Sequence, residues 1–480
     1  MKSIKFNFVM NFLTTGFSLV FPLITFPYVT RVLGVSAYGD YEFANSCSSF
    51  FLLFAQLGIG LYGTRECAKV RDNKSLLAKT TKELFFITAT SAAITCLFYI
   101  LIVFVLPSFR SRALLLLICG MNIPFTILGV SWYFSATEQF GYIAVRTLFV
   151  RLIVLLGMFL FVRSSSDCYI WATISVVANS GAYLINYIKM RSELNWKNVG
   201  KLSLCRHIKP LLHFFLAMAS ISLYSSFSSV LLGVLSTSKE VGFFAAALKI
   251  KNVLVAVMSS LTGVLISRSS YYIGHNDTDS YVNIVNKSVH FALTVVCFLA
   301  GVLAIFATPV VLFLAGDEYG AAVLPTQLMM VAAIAIGMSS ITANEILTPL
   351  GEENHLTKSY VISGVVGVVM NIALIPSFGS VGAAIATLVS ESLVFLIQLN
   401  VVYRKTFFTK DILFRGVSIC LVSVVVALIL ACVIRETFGN TLVVGVLSGL
   451  LLSFLILIWL YRRREQLAVD IFVSVIKWFK

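Results

Sequence analysis

The sequence predicts an all-α polytopic membrane protein with about fourteen transmembrane helices. Three observations carry that expectation. The chain is 59% hydrophobic and only 12% charged, where a soluble protein carries about 25% charged residues. Its mean hydropathy is +0.95. Apolar runs recur from end to end, each long enough to cross about 30 Å of hydrocarbon as a helix.

The expected spans are 8–29, 41–62, 84–106, 113–134, 144–162, 168–188, 211–233, 241–266, 289–314, 323–344, 358–376, 381–402, 412–433 and 441–461. Spans 5 and 8 carry charges at or within their ends. Span 1 holds Pro22 and Pro27 in "LVFPLITFPYVTRVLG". Each proline removes a backbone donor and bends the helix, as a static kink or as a hinge. Residues 1–6 resemble the charged start of a signal peptide. The apolar stretch that follows is long and lacks a small-residue cleavage site before Arg31, so a retained first helix is expected.

The formal charge of +15 has a distribution that explains it. An even number of spans puts both termini on one side. That side holds 28 of the 36 Lys and Arg, the other side six, and two lie within span 8. This is the positive-inside pattern, with both termini cytoplasmic. The excess orients the chain in its membrane and does not call for nucleic acid. The nine cysteines fall mostly within spans, with Cys67 and Cys205 on the cytoplasmic side, so no disulfide framework is expected.

Every loop is short, including the cytoplasmic 63–83 and 189–210. The expected domains are an N-terminal lobe at 1–190, a cytoplasmic linker at 191–210, a C-terminal lobe at 211–403, and two extra spans with a tail at 404–480. A weak internal echo supports two lobes. "VLGVSAYGDYEFANS" (32–46) and "LLGVLSTSKEVGFFAAALK" (231–249) both read Leu-Gly, a polar turn, Gly, then an aromatic-Ala helix start. The offset is 199 residues at the first glycine and 203 at the second. Such repeats suggest paired bundles with a ligand site between them.

Catalytic signals are weak. "GIGLYG" (58–63) matches G-x-G-x-x-G, with Glu83 twenty residues on. A dinucleotide fingerprint needs a preceding strand; these glycines end an apolar span and read as close helix packing. The five histidines show no metal-ligand spacing, and no serine elbow or large extramembrane loop is present. No enzyme, metal or cofactor is expected.

Charges near spans are the candidates for function. Arg31 ends span 1 and Glu42 begins span 2, as a surface pair or as cavity residues. Arg65 and Glu66 open the first cytoplasmic loop, and Glu138 follows "SWYFSATE". Glu345 lies near the end of span 10. Glu391 lies about ten residues from either end of span 12 and is a candidate protonatable group. Lys249 and Lys251 sit inside span 8, about 200° apart round the helix, so they do not share a face. Lys249 falls about 12 Å below the outer boundary at 1.5 Å per residue. A lysine at such a depth favours a wet cavity, and Lys249 is the preferred cavity residue.

Four stretches carry a family resemblance: "FPLITFPYVTRVLGVSAYGDYEFANS", "LGIGLYGTRECAKVRDNK", "VSWYFSATEQFGYIAVRTLFVR" and "MNIALIPSFGSVGAAIATLVSE". They resemble bacterial polysaccharide, or O-antigen, flippases of the multidrug/oligosaccharidyl-lipid/polysaccharide exporter superfamily. The resemblance implies two six-helix lobes plus two spans, a place in the bacterial inner membrane, and export of undecaprenyl-pyrophosphate-linked oligosaccharide. It implies a cationic central cavity, with Arg31, Arg65 and Lys249 at positions where the family has basic residues. Glu42, Glu138 and Glu391 are the accompanying coupling or polar candidates. Membrane lipids, a polysaccharide polymerase and chain-length machinery are the implied partners. One departure is "SSFSSVLLG", where Ser228 and Ser229 occupy a region in which the family often has an acidic residue. The competing reading is a multidrug or cation antiporter of the same superfamily, for which a carboxylate-dominated cavity and twelve spans are expected.

Overall fold

The computed structural model describes residues 4–196, 199–225 and 227–405. Spans 13 and 14 of the sequence reading lie outside the described residues. What is described is helical: α1 (Ile4–Gln56), α2 (Ile59–Lys69), α3 (Lys74–Val105), α4 (Pro107–Arg110), α5 (Ala113–Gly120), α6 (Asn122–Phe125), α7 (Ser131–Ala136), α8 (Phe140–Phe161), α9 (Cys168–Glu193), α10 (Cys205–Ser225), α11 (Phe227–Leu235), α12 (Ser238–Gly274), α13 (Thr278–Ile305), α14 (Ala307–Ala315), α15 (Val323–Ile341) and α16 (Glu353–Lys405). Six of the described helices are long and apolar enough to cross a membrane, or seven if the pair α13 and α14, bent by 77°, counts as one span.

Helix α16 contains two expected spans, and α1 contains the first and most of the second. A straight helix of 53 residues is about 80 Å long, more than twice the hydrocarbon thickness, so α1 and α16 must turn. Each does so at a glycine in a left-handed conformation, Gly34 (φ 74°) in α1 and Gly379 (φ 52°) in α16. A Cβ would be strained at either position. Expected span 4 is interrupted: α5, α6 with Pro124, a short 3₁₀ turn at Thr126–Leu128 and α7 replace a continuous helix.

Caps fix several starts. The Asn73 side chain accepts from the backbone of Ser75 and Leu76 at 3.1 Å each, opening α3, and Asp277 accepts from Ser280 at 3.1 Å, opening α13. The "GIGLYG" glycines serve packing. Gly58 starts α2 at φ 75°, and a Cβ on Gly63 would meet the Trp132 ring at 3.0 Å.

The chain divides into two compact units, 1–242 and 243–480. The first is built on a buried cluster that includes Tyr62, Leu84, Trp132, Phe134 and Met190. Residues 211–242, after the expected linker, belong to this unit. In the second, α15 packs along α13 and α16.

Candidate functional site

Charge inside the first unit centres on α8. Arg151 lies about 16 Å from either end of this apolar helix at 1.5 Å per residue. Its Nη1 is buried with no hydrogen-bond partner, and the guanidinium stands 5.3 Å from the Phe21 ring centre. Arg146, less than two turns away, bonds Asn186 and stacks on Tyr142, yet its Nε is also buried and unmatched. A buried donor with no acceptor costs about 1–3 kcal/mol, more when charged. Two such donors on one spanning helix form a surface that an anion would satisfy.

The echoed segments of the sequence meet in this unit. A Cβ on Gly39 would lie 1.8 Å from the Ser238 carbonyl oxygen, and one on Gly242 would lie 2.6 Å from the Val35 carbonyl oxygen. Val35 and Ser238 are 203 residues apart, as are Gly39 and Gly242. The contact therefore maps onto itself under the repeat. Charge locks it: Arg112 pairs with Asp40 at 2.7 Å and donates to the Gly233 carbonyl and the Ser238 hydroxyl, which itself donates to Asp40 at 2.6 Å.

At the other end of the unit, Glu83 is fully buried and accepts three hydrogen bonds. They come from the Ser203 backbone (2.7 Å), Arg206 (2.5 Å) and His207 Nε2 (3.0 Å). The second ring nitrogen of His207 meets the Tyr62 hydroxyl at 2.7 Å. This ties the segment leading into α10 to α2 and α3.

In the second unit, Lys251 is buried and interacts electrostatically with Glu391, also buried. Further along α16, Gln398 accepts from Thr342 at 2.5 Å and donates to Ser359 at 3.3 Å, and all three are buried.

A family model described as "Polysaccharide biosynthesis protein" matches residues 4–273. The chain belongs to this family. Among its relatives is a protein of Escherichia coli (strain K12) named "Putative O-antigen transporter", 24% identical over 82% of this chain and 95% of the relative. Solved structures show the fold. An inward closed lipid II flippase MurJ aligns with a TM-score of 0.74 at 14% identity, covering 95% of this chain and all of the other. An inward-facing multidrug resistance MATE family transporter of the MOP superfamily aligns at 0.64 and 13% identity, over 81% of this chain and 96% of the other.

Within this polysaccharide biosynthesis family member, the residues singled out from sequence are dispersed. Arg31 is exposed on α1 and donates to the Pro27 carbonyl at 3.2 Å. Pro22 and Pro27 both lie within α1. Glu42 is buried and accepts from Tyr38 at 2.5 Å. Arg65 is exposed, pairs with Glu66 at 3.2 Å and lies 5.1 Å from the Phe214 ring centre. Glu138, at φ 56°, pairs with Arg71 at 2.5 Å in the turn before α8. Lys249 is half-buried, in contrast to the buried Lys251.

The 28 charges on the expected cytoplasmic side include Arg146 and Arg151, although both lie inside expected span 5; in the structure both are on α8, with Arg151 near its middle. The helix starts at Phe140 because "FGYIAV" extends the apolar run beyond the expected boundary at 144. Span 5 already carried these charges; that was the available signal. Glu83 and His207, 124 residues apart, gave none.

Proposed function

We propose that this protein is a flippase that carries undecaprenyl-pyrophosphate-linked oligosaccharide repeat units, of O-antigen or capsule type, across the bacterial inner membrane. It works by alternating access through a cationic cavity, with both termini cytoplasmic, and it transports rather than catalyses. The observation behind this reading is Arg151, a cation midway along a spanning helix with a buried donor and no acceptor. An intramembrane charge of this kind marks a substrate path. A diphosphate diester brings about two negative charges that must not meet bare hydrocarbon, and guanidinium donors offset its desolvation. The inside-negative potential favours moving two negative charges outward by up to about 4.6 kcal/mol per 100 mV.

The reciprocal packing of Gly39 on Ser238 and Gly242 on Val35 supplies a gate on the outer side. Two backbones that touch with no side chain between them separate cleanly, and Asp40 and Arg112 hold them until they do. Arg31, Arg65 and Lys249 are the further cations proposed to meet substrate; Glu42, Glu138 and Glu391 are the polar groups proposed to accompany them.

Deleting the gene and following surface polysaccharide tests the function. Loss of polysaccharide, restored by the wild-type gene, is expected; normal polysaccharide in the deletion strain would refute the flippase reading. A cation antiporter would instead change drug sensitivity and leave polysaccharide intact.

A further inference from the structure

We propose that Glu345 is a proton-binding site of the second unit, holding its proton in this conformation and releasing it when the turn that carries it rearranges. Glu345 is completely buried, and neither carboxyl oxygen has a hydrogen-bond donor. It sits in a π-helical turn, Thr342–Leu347, that follows α15. The widened turn shows in the bond from the Thr348 N–H to the Ala343 carbonyl (2.9 Å), which reaches back five residues. The Tyr281 hydroxyl on α13 donates to the Glu345 backbone carbonyl at 3.2 Å, which fixes the turn's backbone but leaves the carboxyl unmatched.

The surroundings offer the acid form an acceptor and the anion at most one neutral donor. Ser288, the neighbouring hydroxyl on α13, can direct its hydrogen to the Ile284 carbonyl at 2.9 Å or to Glu345. It retains a lone pair, which a carboxylic acid can donate to and a carboxylate cannot use. From α16, Gln398 faces the turn; its amide donates to Ser359, it also bonds Tyr360, and its oxygen takes the Thr342 hydroxyl. Among the described residues Tyr281 is the titratable group that reaches Glu345, and no basic side chain does. An unpaired buried anion is costly, and taking a proton removes the cost.

The π turn supplies the release. It holds one residue more than an α turn, so closing it to α geometry rotates the following chain by about 100° relative to the preceding chain. Glu345 would leave its dry setting, meet water, and pass its proton to that water as hydronium, leaving the carboxylate. Its use in driving transport rests on the flippase reading; the protonation itself does not.

The test is infrared spectroscopy of the full chain in lipid nanodiscs at neutral pH, without substrate. A protonated carboxylic acid band is expected, absent in Glu345→Gln and retained in Glu353→Gln, which alters an exposed carboxylate. Because glutamine mimics the neutral acid, the variant should fold. An identical acid band in Glu345→Gln would overturn the proposal. So would disappearance of the wild-type band on adding sodium at constant pH, which would make Glu345 a metal-ion ligand. In vesicles containing a trapped pH dye, lipid-linked oligosaccharide should drive proton movement in the wild type and at least tenfold less in Glu345→Gln. Equal proton movement in both would also overturn it.

Discussion

Gly39 packs directly on the backbone of Ser238, with room for no side chain between them. Its counterpart 203 residues on, Gly242, packs in the same way on Val35. Small residues let helix ends approach this closely, and the reciprocity shows that the sequence echo is a structural repeat contact.

Gly39→Ala should therefore abolish tight closure, because a Cβ 1.8 Å from a carbonyl oxygen forces the backbones apart. Gly60→Ala is the control, since nothing lies within 4 Å of its Cβ position. Complementation of a deletion strain, normalised to membrane-inserted protein, should fall at least about tenfold for the first, equivalent to about 1.4 kcal/mol. It should be unchanged for the second. Equal complementation by both would remove the gate.

His207→Ala takes one donor from a fully buried carboxylate and leaves the Tyr62 hydroxyl without its partner. A hydrogen bond to a charged group is worth about 1.5–3 kcal/mol. Thermal unfolding in detergent should show a Tm several degrees lower, and proteolysis should reach the 199–205 segment sooner. An unaltered Tm together with unaltered cleavage would mean that the segment is held by its apolar contacts alone.

Lys251 and Glu391 are both buried and interact electrostatically, so removing one is expected to cost more than removing both. Lys251→Met is expected to lower the Tm, with Lys251→Met/Glu391→Leu recovering much of that loss. A double-mutant cycle reads the coupling. Strict additivity would show that the two side chains do not depend on each other.

Asp277 gives a pH dependence. Hydrogen bonds from the Ser280 hydroxyl and backbone hold its carboxyl below the usual range. Its folded pKa is depressed, so the cap's contribution is complete above the unfolded value of about 3.9 and is lost as pH falls through the folded one. Amide exchange at residues 278–281, corrected for its intrinsic pH dependence, should accelerate as pH falls below the unfolded value. Asp277→Ala should be fast throughout that window, and Asp277→Asn should stay protected throughout it. Acid acceleration in the Asn variant equal to wild type would assign the effect to another group.

The helical architecture was legible because hydrophobic runs of spanning length have few other uses, and the two Leu-Gly echoes pointed to a real contact. The 200° offset between Lys249 and Lys251 was equally legible, since helix geometry dictates it. Which of the two is buried depends on α16, more than a hundred residues away, and no local pattern reports that. Arg151 falls inside expected span 5, but no local pattern reports its buried, unmatched Nη1 or the Phe21 ring beside it. Glu83, His207 and Tyr62 are ordinary residues in sequence. Their meaning arises only from three segments brought together.

The central claim is that α8 presents cations to an anionic substrate, and transport in reconstituted vesicles tests it most directly. Purified wild type, Arg151→Lys and Arg151→Ala would be compared for translocation of a pyrophosphate-linked oligosaccharide lipid across the bilayer. A lost charge-assisted hydrogen bond of about 1.5–3 kcal/mol corresponds to a drop of roughly tenfold or more. Arg151→Ala should show that drop, and Arg151→Lys a smaller one. Translocation by Arg151→Ala at the wild-type rate would contradict the account.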